Sequence, residues 1–164
     1  MHTRVLTLEH GPTLLVRALR HGDVGTVLGV FERLSEQSRR ARFNGPKPCL
    51  RDDELEQLAV VDGTHHVLVA YVEGDAEPVG IARLVRDGSS AEVAFAVADE
   101  YQLCGIGSAL TAELLVDARA AGITEITALV SADNPAAVAL LRRIASALDI
   151  RRSGPELSIR AAIA

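Results

Sequence analysis

The chain has 164 residues, 48% of them hydrophobic but only 3% aromatic, and a formal net charge of −5. A chain of this size buries enough apolar surface for one domain, and its core must be built from Val, Leu, Ile and Ala. The acidic balance argues against a nucleic-acid surface, which needs a basic face, and no apolar run approaches the roughly 20 residues of a bilayer-spanning helix.

The opening residues Met1-His2-Thr3-Arg4 lack the apolar stretch of a secretory signal. A single cytoplasmic domain over residues 1–164 is therefore expected, with no nucleic-acid or membrane partner. Residues 14–19 follow Gly11-Pro12 and precede His21-Gly22-Asp23, so turn signals bracket a first strand. Asp23 then suits the N-cap of a helix over residues 24–34, in which Val27, Val30, Phe31 and Leu34 recur at helical spacing. A second helix is expected over residues 51–60. The polar, arginine-rich segment between them, residues 35–48, reads as a loop.

Three β-rich runs follow, at residues 66–72, 79–85 and 91–97, separated by Gly-Asp and Asp-Gly turns that suit an antiparallel meander. Ile106, Leu110, Leu114, Ala118 and Ala121 mark a third helix that Gly122 stops, and residues 123–130 read as another strand. Asn134-Pro135 opens a fourth helix extending to about Leu148, with Asn as cap and Pro in the first turn. Residues 156–162 form a last strand. The order β, α, α, three β, α, β, α, β predicts an α/β fold: a central mixed sheet flanked by about four helices, with parallel pairing after the meander.

The most informative stretch joins the third meander strand to the third helix. A helix that opens on Gly105 and Gly107 presents unpaired N–H groups and the positive end of its dipole, and without a Cβ the backbone allows close approach by an anion. A Rossmann site fits poorly, because Leu110 stands where a third glycine belongs, and no Gly-Lys-Ser/Thr of a phosphate loop is present. Cys49 and Cys104 form no C-x-x-C pair, so neither a disulfide framework nor a metal site is expected.

The combination of Gln102-x-x-Gly105-x-Gly107, the β-run before it and Asn134-x-x-Ala137-x-x-Leu140 after it resembles motif A of the GCN5-related N-acetyltransferases, the GNAT superfamily. The nearest branch is that of the bacterial protein lysine acetyltransferases. The resemblance implies acetyl-coenzyme A as cosubstrate, with Phe95, Ala96 and Val97 holding its pantetheine and acetyl carbonyl. Its diphosphate would lie on the turn of Gln102, Leu103, Cys104, Gly105, Ile106, Gly107 and Ser108. Asn134 would touch the cofactor or serve as a plain N-cap. Glu92 would be the general base toward an amine acceptor, expected to be a protein lysine. The chemical need is removal of a proton: a lysine of pKa near 10.4 costs about 4 to 5 kcal/mol to neutralise at pH 7.

The family's tyrosine acid corresponds here to Leu141, while Tyr101 lies near the turn. His65 and His66 suit either an auxiliary base or a surface pair. The stretch Ser38-Arg39-Arg40-Ala41-Arg42-Phe43 resembles one that lines the acceptor side in the branch, and otherwise reads as a solvated basic loop. Small-molecule amines remain alternative acceptors, and a non-catalytic acyl-coenzyme A module is the alternative to an enzyme. A homodimer is left open. Some members of the resembled branch carry a fused cyclic-nucleotide domain; none is expected within these 164 residues, so ligand control is expected from a separate partner or not at all.

Overall fold

The computed structural model describes residues 2–145 and 147–163. Eight strands form one mixed sheet: β1 (Arg4–Thr7), β2 (Thr13–Ala18), β3 (His65–Val72), β4 (Pro78–Asp87), β5 (Ser90–Val97), β6 (Glu125–Ser131), β7 (Leu148–Ser153) and β8 (Glu156–Ala162). Their spatial order is β1-β2-β3-β4-β5-β6-β8-β7. The helices are α1 (Val24–Glu32), α2 (Glu36–Phe43), α3 (Asp52–Leu58), α4 (Ile106–Ala120) and α5 (Pro135–Ile144). The expected meander β3-β4-β5 is antiparallel throughout, and β5 pairs parallel with β6 after the α4 crossover.

Local chemistry sets the helix ends. Asp23 accepts from the N–H of Thr26 at 3.0 Å, Ser35 from that of Ser38 at 3.1 Å and Asn134 from that of Ala137 at 3.2 Å, each meeting a donor the first turn leaves unpaired. One face of the sheet packs against α4 and α5 through a core that includes Leu110, Leu114, Ile126, Leu141 and Ile159. The other face packs against α1 and α3 around Val27, Leu55, Val67 and Val69.

The structure corrects the sequence reading in three places. Residues 36–43, expected as loop, are helical, giving five α-helices among the described residues where about four were expected. No residue of α2 is fully buried, so no apolar stripe marks it. It is held instead by the Ser35 cap, by Phe43 edge-on to Phe31 at 5.9 Å, and by the Arg39 guanidinium 4.2 Å over the Phe31 ring. The last helix stops at Ile144 and not near Leu148, because Leu148 begins β7, a hairpin partner of β8. Strand β1 was not expected; it pairs with β2 through only four residues.

Candidate active site

Strands β5 and β6 pair only at Ser90↔Glu125, Ala91↔Ile126 and Glu92↔Thr127, then part. The opening between them is a wedge of about 640 Å³, a volume suited to a cofactor-sized ligand. Helix α2 contacts both separated strands, α4 enters from the floor, and α5 lines the far wall with Ala136, Leu140 and Arg143 at helical spacing.

The turn from β5 into α4 forms one end of this wedge. After the short 3-10 turn Asp99–Tyr101, Leu103 and Gly105 take positive φ of 61° and 86° around Cys104, an alternation that makes a backbone concavity for anions. The N–H groups of residues 103–108 donate to no carbonyl or side chain among the described residues. That of Gln102 is engaged by the Asp99 carbonyl, so the free row starts one residue later than the motif. Gln102 contributes through its side chain, donating to the Val97 carbonyl at 3.0 Å and to the Ser38 hydroxyl at 3.1 Å. This ties α2 to the end of β5.

Of the residues singled out in the sequence, Glu92, Phe95, Ala96 and Val97 line the wedge from β5. Gln102, Leu103, Gly105, Gly107 and Ser108 line it from the turn, and Asn134 from the start of α5. Cys104 and Ile106 lie against the core, so their side chains do not face the wedge. Asn134 caps α5 with its oxygen, and its amide nitrogen has no partner among the described residues. The N-cap and cofactor-contact readings are thus compatible.

Glu92 stands at the last paired position, where the strands begin to part. Ala91 and Val93 point into the core beneath α4, so by strand alternation Glu92, Ala94 and Ala96 share the opposite face, toward α2 and α3. The carboxylate is exposed and unpaired among the described residues, at the junction of the wedge and a second cavity of about 310 Å³. Phe43, Leu50 and Leu58 give that second cavity apolar walls, and Glu54 and Arg83 polar ones. Arg83 is committed to the carbonyls of Leu58 and Gln57 at 2.6 and 2.9 Å, closing the C-terminus of α3. Glu54 is committed to Lys47 and to the Arg51 N–H.

Arg42 lines both cavities yet has no hydrogen bond or ion pair among the described residues, its guanidinium lying 4.9 Å over the Phe43 ring. Burial and the neighbouring Arg83 pull its pKa down to about 10, against the opposing pull of Glu92. The sequence had left this residue between two readings, a stretch lining the acceptor side and a solvated basic loop. Arg143 was missed altogether; the i, i+4, i+7 spacing of Ala136, Leu140 and Arg143 was the available signal.

Neither tyrosine acid nor histidine base emerges. Leu141 is buried in the core, 1% exposed. Tyr101 lines the wedge, but its hydroxyl donates to Asp75 at 3.0 Å, a bond that holds its pKa above the phenol range. His65 is bound to Asp62 at 2.9 Å and His66 to Asp117 on α4 at 2.8 Å, and neither lines the wedge.

A parted pair of parallel strands ending in a helix with a free row of amides fits a long ligand carrying an anion at one end. The family model for the acetyltransferase (GNAT) family matches residues 31–145, and the chain belongs to that family. The acetyltransferase Pat of Mycolicibacterium smegmatis is 36% identical over 138 residues, 82% of this chain, which spans only 41% of that relative's length. The acetyltransferase PA5475 of Pseudomonas aeruginosa is 30% identical over 80% of this chain and 74% of its own. The GNAT domain of S. lividans PAT has the same fold, with a TM-score of 0.86 covering 98% of this chain and 96% of that one at 24% identity. No helix among the described residues is long and apolar enough to cross a membrane.

Proposed function

We propose that residues 1–164 act in the cytoplasm as one catalytic unit that transfers an acetyl group from acetyl-coenzyme A to a primary amine, with a protein lysine side chain as acceptor. The observation that carries this reading is the position of Glu92, where the wedge meets the second cavity. Acetyl-coenzyme A supplies an activated thioester. The amides of residues 103–108 suit its diphosphate, and the edge of β5 from Val93 to Val97 that faces away from β4, open where β6 departs except at the Val97 carbonyl taken by Gln102, suits its pantetheine and acetyl carbonyl. The amine enters through the second cavity, whose apolar walls accept methylenes, and Glu92 takes its proton directly or through water. The departing thiol has an ordinary pKa near 8.5 and needs no dedicated acid, consistent with Leu141 in the core and Tyr101 held by Asp75. The relative named Pat supports the protein-lysine branch.

The test is release of free thiol from acetyl-coenzyme A with lysine-bearing proteins and with small amines. Glu92→Gln is expected to lower kcat about 100-fold or more while coenzyme A affinity is kept, the usual size of a lost general base. Unchanged turnover refutes the base. The lack of a phenol free to act as acid favours a second reading, a non-catalytic acyl-coenzyme A module. Calorimetric binding of coenzyme A without turnover on any amine decides for it.

A further inference from the structure

We infer that the turn between β1 and β2 is a brace for the anion-binding turn, and that Gly11 is its positioning residue. The inference rests on the acetyl-coenzyme A reading only for the identity of the ligand. At the open end of the sheet the first hairpin lies along α4. Arg4 on β1 makes ion pairs with Glu113, at 2.9 Å, and with Asp117, a turn apart on α4. Seven residues later the same hairpin reaches the start of that helix. The backbone of Gly11 sits so close to the Cys104 carbonyl that a Cβ at position 11 would lie 2.5 Å from that oxygen. Leu8, whose carbonyl accepts from the Gly11 N–H, packs beneath Gly105, with Cδ1 3.8 Å from where a Cβ on that glycine would be.

A carbon and a carbonyl oxygen do not approach to 2.5 Å, so with any side chain at position 11 the hairpin turn and the Cys104 peptide must move apart, and the contact that seats one on the other is lost. The nearest obstacle is backbone and cannot swing aside as a side-chain tip can, and the Leu8 Cβ and Cδ1, each 3.1 Å from the same position, crowd the other side. That peptide lies inside the row of free amides, between the positive-φ residues Leu103 and Gly105. Hydrogen bonds weaken steeply once aligned geometry is lost, and a displacement of about half an ångström spoils several of them together. Gly11 therefore sets how well the row converges on an anion. It plays no part in the chemistry around Glu92. In the sequence Gly11-Pro12 is only a turn signal, because the Cys104 carbonyl is remote in the chain.

The experiment compares wild type with Gly11→Ala and with Gly63→Ala, the latter a loop glycine with nothing within 4 Å of its Cβ position. Two donors are used, acetyl-coenzyme A and acetyl-pantetheine, which lacks the diphosphate. Gly11→Ala is expected to raise KM for acetyl-coenzyme A about tenfold or more with kcat little changed, and to leave KM for acetyl-pantetheine as it was; Gly63→Ala changes neither. Equal losses on both donors, or none on either, overturn the proposal. A second measurement needs no turnover: in ¹H–¹⁵N spectra of the ligand-free protein, Gly11→Ala should move the amides of residues 103–108, and unmoved amides also overturn it. If Gly11→Ala fails to fold, Leu8→Ala tests the same brace with the same two donors and the same spectra. Wild type without affinity for coenzyme A would refute the proposed ligand and leave the spectral test of Gly11 standing.

Discussion

At the scale of single residues, backbone conformation and unmet hydrogen-bonding capacity mark the site more clearly than residue type does. Leu103 holds φ of 61° and is fully exposed, two features that each cost free energy in the isolated protein. A non-glycine residue in the left-handed region costs roughly 1–2 kcal/mol. Leu103→Gly should therefore raise the stability of the ligand-free protein by about 1 kcal/mol, measured by urea unfolding; a loss of stability would show that the strain is absent. Gly105 is the reverse case. With φ of 86°, Gly105→Ala should cost about 1 kcal/mol and weaken coenzyme A binding in calorimetry, since the same substitution also disturbs the amide row.

At the scale of elements, a polar clamp joins the end of α1 to the 3-10 turn that leads into the glycine turn before α4. Arg33 pairs with Asp75 at 3.0 Å and with Glu100, and lies 5.3 Å over the Tyr101 ring, while Tyr101 donates to Asp75. The Glu77 N–H, then Arg33 and Tyr101, hold the Asp75 carboxyl below its ordinary value. A depressed carboxyl stabilises the fold fully above its unfolded pKa, near 3.9, and loses that contribution as pH falls through the lower folded value. Thermal unfolding followed from pH 6 down to pH 2.5 should therefore steepen below about pH 4 in wild type. Asp75→Asn should start from a lower melting temperature at pH 6 and show a shallower acid decline. An identical decline in the two proteins would remove Asp75 from the account.

At the scale of the whole molecule, α4 joins the two halves of the sheet, and Leu114 at its centre is fully buried in the larger core. Leu114→Ala should destabilise by about 2 to 5 kcal/mol, which for a domain of this size is roughly 2–4 °C of melting temperature per kcal/mol. KM for acetyl-coenzyme A should hold in the fraction that stays folded, because the site sits at the mouth of the wedge and not in this core. A selective rise in KM with no thermal shift would contradict that separation.

The meander, the α4 crossover, the caps at Asp23 and Asn134 and the glycine turn were all legible in the chain, because each rests on local rules: alternation, helical spacing, turn chemistry and the unpaired amides of a helix start. Helix α2 and strands β1 and β7 were not, since α2 buries no stripe and the two strands are edges held by a neighbour. The same division runs through the site. Local rules singled out the helix that opens on Gly105 and Gly107, and the resemblance to the family pointed to Glu92 and to the turn from Gln102 to Ser108. Only tertiary packing decided that β5 and β6 part at Glu92, that Arg42 stays unpaired beside it, that Tyr101 is held by Asp75, and that Gly11 bears on Cys104. The physical reason is range: hydrogen-bond periodicity and backbone conformation act over a few residues, whereas cavities, desolvation and steric contact depend on which distant segments the fold brings together.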